Sequence, residues 1–287
     1  MNFFEKIAGL DRRWIYLILA AVVIITVLIE FESPLRVNPE VRSIYDFVEN
    51  LEEGQYIHFA VDYDPGSMAE LHPMTYAIME QAMAKGVKLI ITALSPNGPG
   101  MAEAAMLDVM DSVRTKYGRE LTYGQDVVFL GYKPYPGIVI LSMGQNYRLS
   151  FPSDYYNTLT DSIPMMNGIV NYNNVEGIIL ITGTSGIDYW LSYANGRYNA
   201  LLAAGLTGVS AADYYPYLRS GQLFGLMGGM LGAAEYETLL RKKLPGAKPG
   251  PAMEAMRVQV WTHMTIIIFI LIGNIGFFIS RRRGGTH

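Results

Sequence analysis

The amino-acid sequence predicts an α/β domain with a Rossmann-like or flavodoxin-like, doubly wound and mostly parallel sheet, flanked by an N-terminal and a C-terminal transmembrane helix. Three observations carry that expectation. Short, nearly continuous apolar runs alternate with segments of helical periodicity, as strands buried on both faces require. Each run closes in Gly, Pro, Asn, Asp or Ser residues that turn the chain. Long uncharged stretches lie near both ends of the chain.

Residues 14–29 carry no charge and, at about 1.5 Å per residue, nearly cross a hydrocarbon core. With Trp14, Tyr16 and Phe31 as interfacial aromatics, the first span is expected over 14–31. A cleaved signal peptide is the competing reading, because Lys6, Arg12 and Arg13 precede the run. The run is long for that role, and no small-x-small site separates it from Glu30-Phe31-Glu32. Residues 1–13 then form a cytoplasmic N-terminus, and 32–54, with Pro34 and Pro39, a stalk or lead-in helix.

The domain is expected over 55–240. Residues 55–62 form a β-branched and aromatic run closed by Asp62-Tyr63-Asp64-Pro65-Gly66. Residues 74–85 have helical periodicity and end at Gly86, where a helix cap favours glycine. A second apolar strand over 87–94 breaks at Ser95-Pro96-Asn97-Gly98-Pro99-Gly100 before a long helix over 101–116. Three more apolar runs, 126–131, 138–142 and 177–182, read as strands, the last opening into Gly183-Thr184-Ser185-Gly186. Residues 149–174, rich in Tyr, Asn and Pro, show no period and read as a long loop or insertion.

Residues 220–235 carry glycines four apart, Gly221, Gly225 and Gly229, together with Gly228 and Gly232. On a helix such ladders allow close helix–helix approach, so a helix–helix interface is expected there. After a linker over 241–258, the second span is expected over 259–280, from Trp261 to the Arg281, Arg282 and Arg283 cluster of a cytoplasmic tail, 281–287. His263 lies near its interface, whereas Asn274, between Gly273 and Gly276, lies deeper and is expected to bond a neighbouring helix. The basic clusters at both ends place both termini in the cytoplasm and the central domain outside it, in the cytoplasmic (inner) membrane of a prokaryote. Arg241, Lys242, Lys243, Lys248 and Arg257 stand against that orientation.

The formal net charge of −4 and the lack of a basic stripe exclude the electrostatic footprint of a nucleic-acid binder. With no cysteine, disulfides, thiolate nucleophiles and Cys-ligated metals are excluded. The sixteen Met and twenty Tyr are scattered, as core filling and surface aromatics would be. No phosphate-loop, dinucleotide, zinc-protease or nucleophile-elbow motif occurs, Gly183-Thr184-Ser185-Gly186 being a near miss to the last. No cofactor or metal is assigned, and the balance leans away from an enzyme.

In open α/β sheets ligands bind beyond the carboxyl ends of the strands. Asp62, Asp64, Ser95, Asn97, Thr184 and Ser185, with Thr182, Ser142 and Gln145, are therefore the candidate ligand-binding residues for a small polar or anionic molecule. Ser, Thr, Asn and Asp at strand ends are also ordinary turn and cap residues. Asp62 and Asp64 with Glu70 and His72 offer donors for a divalent cation, but two acidic residues in one turn more often cap. His72 is the one histidine left for base chemistry, since His58 falls within a strand and reads as a packed core residue. The leading expectation is a non-catalytic, membrane-anchored scaffold or accessory subunit whose partners are the bilayer and other membrane subunits or copies of itself. The alternatives are a tethered enzyme or sensor using the strand-end crevice, and a homo-oligomeric structural protein.

Overall fold

The computed structural model describes residues 11–29, 35–243 and 249–284 and divides into two units. The first comprises Met1–Pro34 and Glu254–His287, the second Leu35–Met253. In the first, helix α1 (Arg12–Leu28) has 17 residues and starts at Asp11, whose side chain accepts from the Arg13 amide at 3.0 Å. That is about 25 Å of helix, shorter than the roughly 30 Å hydrocarbon core. Residues 30 and 31, the end of the expected first span, lie outside the described residues. Among the described residues one helix is long and apolar enough to cross a membrane, Pro251–Phe278. It belongs to α11 (Pro251–Gly284).

Within the second unit, six strands make one wholly parallel sheet: β1 (Tyr56–Asp62), β2 (Lys88–Ala93), β3 (Val127–Tyr132), β4 (Gly177–Thr182), β5 (Leu202–Leu206) and β6 (Gly225–Gly228). Their order is β3-β2-β1-β4-β5-β6. The direction of winding reverses between β1 and β4, which is where a doubly wound sheet opens its crevice. Residues on both faces of the central strands are buried, which explains their near-continuous apolar sequences.

One face packs against α2 (Pro39–Asn50), α3 (Met68–Lys85), α4 (Gly98–Tyr117) and α10 (Gly229–Lys243). Helix α2 buries Val41, Ile44, Tyr45 and Val48, one stripe at helical spacing. It is thus a layer of the domain rather than a stalk. Fully burying Ile44 and Val48 contributes about 1.5–3 kcal/mol each. Helices α3 and α4 end at Gly86 (φ 78°) and Gly118 (φ 67°), whose left-handed backbone an L side chain resists.

The other face is covered by α5 (Pro136–Met143), the turn α6 (Tyr147–Ser150), the irregular segment 151–175, and α7 (Ile187–Tyr189). The α7 helix runs on through a π-helical turn, Trp190–Asn195, into α8 (Gly196–Tyr198), and α9 (Gly208–Arg219) completes the layer. The segment expected as a long loop contributes Phe151, Ile163, Met165, Met166 and Ile169 to this core. Arg148 holds it, bonding the Asp161 carboxylate and donating to the carbonyls of Ile169 at 2.6 Å and Met166 at 3.0 Å.

Two sequence expectations fail here. Residues 138–142 are helical, inside α5: four apolar residues before Ser142 fit a strand or a buried helix equally, and Pro136, with its fixed φ at the helix start, decides. The glycine ladder is not on one helix. Gly221 (φ 79°) is in a turn, Gly225 and Gly228 are in the edge strand β6, and Gly229 (φ 58°) and Gly232 begin α10. The expected helix–helix interface at Gly221, Gly225, Gly228, Gly229 and Gly232 is therefore replaced by helix-on-strand packing. A Cβ on Gly225 would lie 2.3 Å from the Ile44 Cγ1 of α2, and one on Gly232 would lie 3.1 Å from the Met227 Cα. At Gly221 a Cβ would meet nothing within 4 Å. Asn274 is exposed on α11 beside Gly273, where a Cβ would meet nothing within 4 Å.

Candidate functional site

Parallel register brings the carboxyl ends of β1, β2 and β4 to one edge of the sheet and gathers most of the sequence-predicted ligand residues there. Asp62, the last residue of β1, is buried. Its Oδ1 accepts from the amides of Leu94 and of Ser95, the latter at 3.1 Å, and its carbonyl accepts from the Thr182 hydroxyl at 3.1 Å. Burial raises the carboxyl to a pKa of about 6, against the opposing hydrogen bonds from Leu94, Ser95 and Trp190. Asp62 thus ties three strand ends together.

Its neighbours are committed in the same way. Asp64 Oδ1 accepts from the Ser67 amide at 3.0 Å and the Ser67 hydroxyl at 3.1 Å, and these bonds lower its pKa. Thr184 Oγ1 accepts from the Gly186 amide at 3.2 Å and lies 3.2 Å from Thr182 Oγ1. Asn97 occupies the N-cap position of α4 without a side-chain cap bond, and Ser185 is exposed in the turn before α7. Ser142 is on α5, hydrogen-bonded to Ser150, and Gln145 follows that helix, so neither is at a strand end.

The space between β1 and β4 is partly closed. A Cβ on Gly183 would lie 2.6 Å from Ser67 Oγ, so the β1–α3 turn rests directly on the β4 loop. Glu70, in the first turn of α3, reaches across the strand ends, and its Oε2 accepts from the Gly208 amide at 2.8 Å. The same oxygen would be 2.9 Å from a Cβ on Gly229. The first amides of a helix after a strand are the usual seat of a ligand anion in such sheets. At α9 the chain's own carboxylate takes that seat, a role the sequence did not signal because the two residues are 138 positions apart.

His72 does not join Asp62 and Asp64. Its Nδ1 pairs with the Tyr63 hydroxyl at 2.9 Å, and burial lowers its pKa. Among the described residues no three His, Asp or Glu side chains are grouped to hold a metal ion. His58 is a core residue, its ring nitrogens 2.7 Å from Thr92 Oγ1 and 2.8 Å from the Tyr147 hydroxyl. Desolvation lowers its pKa to about 3.

Beyond the crevice lies an aromatic ledge. Tyr135 adopts a left-handed backbone (φ 64°) just before α5, a conformation that costs a non-glycine residue energy, and is 73% exposed. Ile138, the third residue of α5, is 69% exposed. A Cβ on Gly137 would lie 2.9 Å from the Tyr193 ring and 3.4 Å from the Tyr189 ring, so α5 and the π-helical turn are in contact. Tyr189, 44% exposed, stacks on Tyr193 with ring centroids 6.3 Å apart. The π-helical turn also buries Trp190 against His58, ring centroids 5.2 Å apart, while Tyr189 stays exposed and Tyr193 is half-buried against the core. Wide turns of this kind recur at functional sites. Strand periodicity assigned to 138–142 hid this ledge from the sequence.

No family model matches the chain, and no curated protein matches it. Among solved structures it is similar to the trehalose-6-phosphate synthase OtsA, at 12% identity over 87% of this chain and 46% of that one, with a TM-score of 0.30. An OtsA apo structure is similar at 11% identity, 84% and 49% coverage, and a TM-score of 0.30. The N-terminal domain of Candida albicans trehalose-6-phosphate phosphatase is similar at 10% identity, 88% and 48% coverage, and a TM-score of 0.33. The chain spans about half the length of each. At these values the likeness carries no argument about activity, and the strand order itself defines the Rossmann-like fold.

Proposed function

We propose that this chain is a non-catalytic, membrane-anchored docking module, a scaffold or accessory subunit that presents its α/β domain to other membrane subunits. The observation that carries the reading is the ledge of Tyr135, Ile138, Tyr189 and Tyr193. Exposed Tyr135 and Tyr189, the half-buried Tyr193 beneath Tyr189, and the exposed Ile138, with Tyr135 held in a strained backbone, match the composition of protein interfaces, where Tyr is enriched. The engagement of Asp62, Asp64, Thr184 and Glu70 in internal bonds supports it, because a ligand at the strand ends must displace them. The alternative of a small anionic ligand in that crevice retains the exposed Ser185 and Asn97 as contacts.

In this proposal α11 spans the bilayer and α1, with the residues beyond it, completes a second span. Arg12 and Arg13 at one end and Arg281, Arg282 and Arg283 at the other keep both termini cytoplasmic. The absence of cysteine makes the topology directly testable: a single cysteine at Ser220 should react with an impermeant maleimide in intact cells, and one at Thr286 should not. The reverse pattern overturns the orientation. For the docking role, the chain is purified from native membranes in mild detergent as parent, Ile138→Asp and Tyr189→Ala. Stoichiometric membrane subunits should accompany the parent and be lost from both variants; retention by both sinks the ledge.

A further inference from the structure

On the opposite face of the domain, an open cavity of about 1060 Å³ runs along α3, its lining completed by the last turn of α4, by Glu237, Leu240 and Arg241 of α10, and by residues 249–251. Its long wall is one stripe of α3 running from Met68 through His72, Pro73 and Tyr76 to Glu80. Twelve residues of helix make it about 18 Å long. Leu240 of α10 faces that stripe, and Pro249 and Pro251 cover it.

Its polar lining is His72 midway along α3, Glu80 with Lys116 and Tyr117, and Glu237 and Arg241 of α10, where the Glu237 carboxylate accepts from the Ala252 amide at 3.1 Å and the Met253 amide at 2.8 Å. At the Glu80 end, Lys116 Nζ pairs with Glu80 Oε2 at 2.8 Å and the Tyr117 hydroxyl donates to Glu80 Oε1 at 3.0 Å. The Lys116 ammonium is also 5.9 Å from the centre of the Tyr76 ring. Midway along, His72 uses Nδ1 on Tyr63, and its other ring nitrogen has no hydrogen-bond partner among the described residues.

We propose that this trough holds the alkyl chain of a single-chain amphiphile, with its polar head at the Glu80, Lys116 and Tyr117 end. The volume is at the upper end of the roughly 300–1,000 Å³ range of small-molecule sites, and the lining is apolar with a few fixed polar groups, as such sites require. The one long wall is the helix α3, whose backbone amides and carbonyls are already bonded within the helix. An extended peptide would bury its own amides there without partners, at a cost of about 1–3 kcal/mol each. An alkyl chain has no such groups and gains about 0.8 kcal/mol per buried methylene. Pro251 lines the cavity and is also the first residue of the apolar helix Pro251–Phe278. A chain carrying that helix meets acyl chains wherever the helix enters a bilayer.

The test uses the full chain in native membranes, a photoreactive diazirine analogue of a sixteen-carbon fatty acid, and peptide mapping of the adducts. Adducts should map to α3 and α10 and be competed away by excess unlabelled fatty acid. They should fall about tenfold in Ala69→Trp, which places a large ring in the trough from an exposed helix position, while the urea midpoint stays unchanged. Met68→Trp, also partly exposed, is the second variant should the first fail to fold. Adducts confined to α11, or labelling of α3 that neither variant nor competitor reduces, would overturn the proposal.

Discussion

Replacing His58 by Gln tests whether the buried polar centre is built as described. The ring is fully enclosed between Thr92, Tyr147 and Trp190, and desolvation holds its pKa at about 3 against 6.5 for a solvated imidazole. Between those values the unfolded chain binds a proton that the folded chain refuses. Stability is therefore lost as pH falls through 6.5, at about 1.4 kcal/mol per pH unit, until both states are protonated near pH 3. From pH 7 to pH 5 the parent loses roughly 2 kcal/mol through this one group.

Asp62, four residues along the same strand, works in the opposite sense. Its folded pKa of about 6 lies above the usual 3.8, so its contribution is lost as pH rises through that window. The parent's own pH profile thus blends two opposed slopes. The difference between parent and His58→Gln isolates the histidine, because Asp62 is the same in both, lies about 13 Å away along the strand, and takes its Leu94 and Ser95 bonds from neither Thr92 nor Tyr147; Trp190, which touches both sites, is left in place. At pH 7 the variant should be less stable by about 1–3 kcal/mol, since glutamine cannot serve both Thr92 and Tyr147. At pH 5 that deficit should have shrunk by roughly 2 kcal/mol. The assay is urea unfolding of the full chain in mild detergent, followed by near-ultraviolet circular dichroism. A deficit independent of pH between 5 and 7 would refute a neutral, desolvated His58.

Asp62→Asn keeps the Oδ1 acceptor for Leu94 and Ser95 but has no charge to bury, so urea midpoints should show it gaining about 2 kcal/mol on the parent as pH rises from 4 to 7. Gly225→Leu drives a side chain into Ile44 and the Glu40 carbonyl and should cost about 1–3 kcal/mol or more. Light scattering in detergent should show its assembly size unchanged, whereas a changed assembly with intact stability would restore the helix-ladder reading. Glu70→Ala strips the α9 amide of its carboxylate and should cost about 1–2 kcal/mol in the same urea assay, with Glu70→Gln retaining part of the bond.

The central strands were legible because β1, β2, β3 and β4 are predominantly apolar and each ends in a turn cluster, a pattern that burial on both faces imposes. Strands β5 and β6 were not, for the converse reason. Leu202-Ala203-Ala204-Gly205-Leu206 and Gly225-Leu226-Met227-Gly228 are made of small residues with little strand preference. They are small because Ile181, Met74 and Ile44 press against them: a Cβ on Gly205 would lie 2.6 Å from Ile181 Cδ1 and 2.8 Å from Met74 Sδ. That demand comes from residues far away in sequence, so glycine spacing suggested a helix instead.

At the strand ends, the rule that ligands gather beyond β1 and β4 pointed to Asp62, Asp64 and Thr184, which lie at or just past the carboxyl ends of those strands. It did not reveal that each is engaged by backbone amides within two or three residues or on the next strand. Composition shows that a carboxylate is present at a turn, but only geometry shows what it already holds. The aromatic ledge was obscured by local ambiguity, since Tyr135 and Ile138 come to the surface only once Pro136 turns their segment into a helix.

The docking role is tested most directly by placing benzoylphenylalanine at position 138, at the centre of the exposed ledge, and irradiating native membranes. A docking module should give one discrete heavier adduct, and mass analysis should identify a membrane subunit joined at residue 138. Irradiation that leaves the chain at its own mass, with the residue facing solvent alone, would contradict the account.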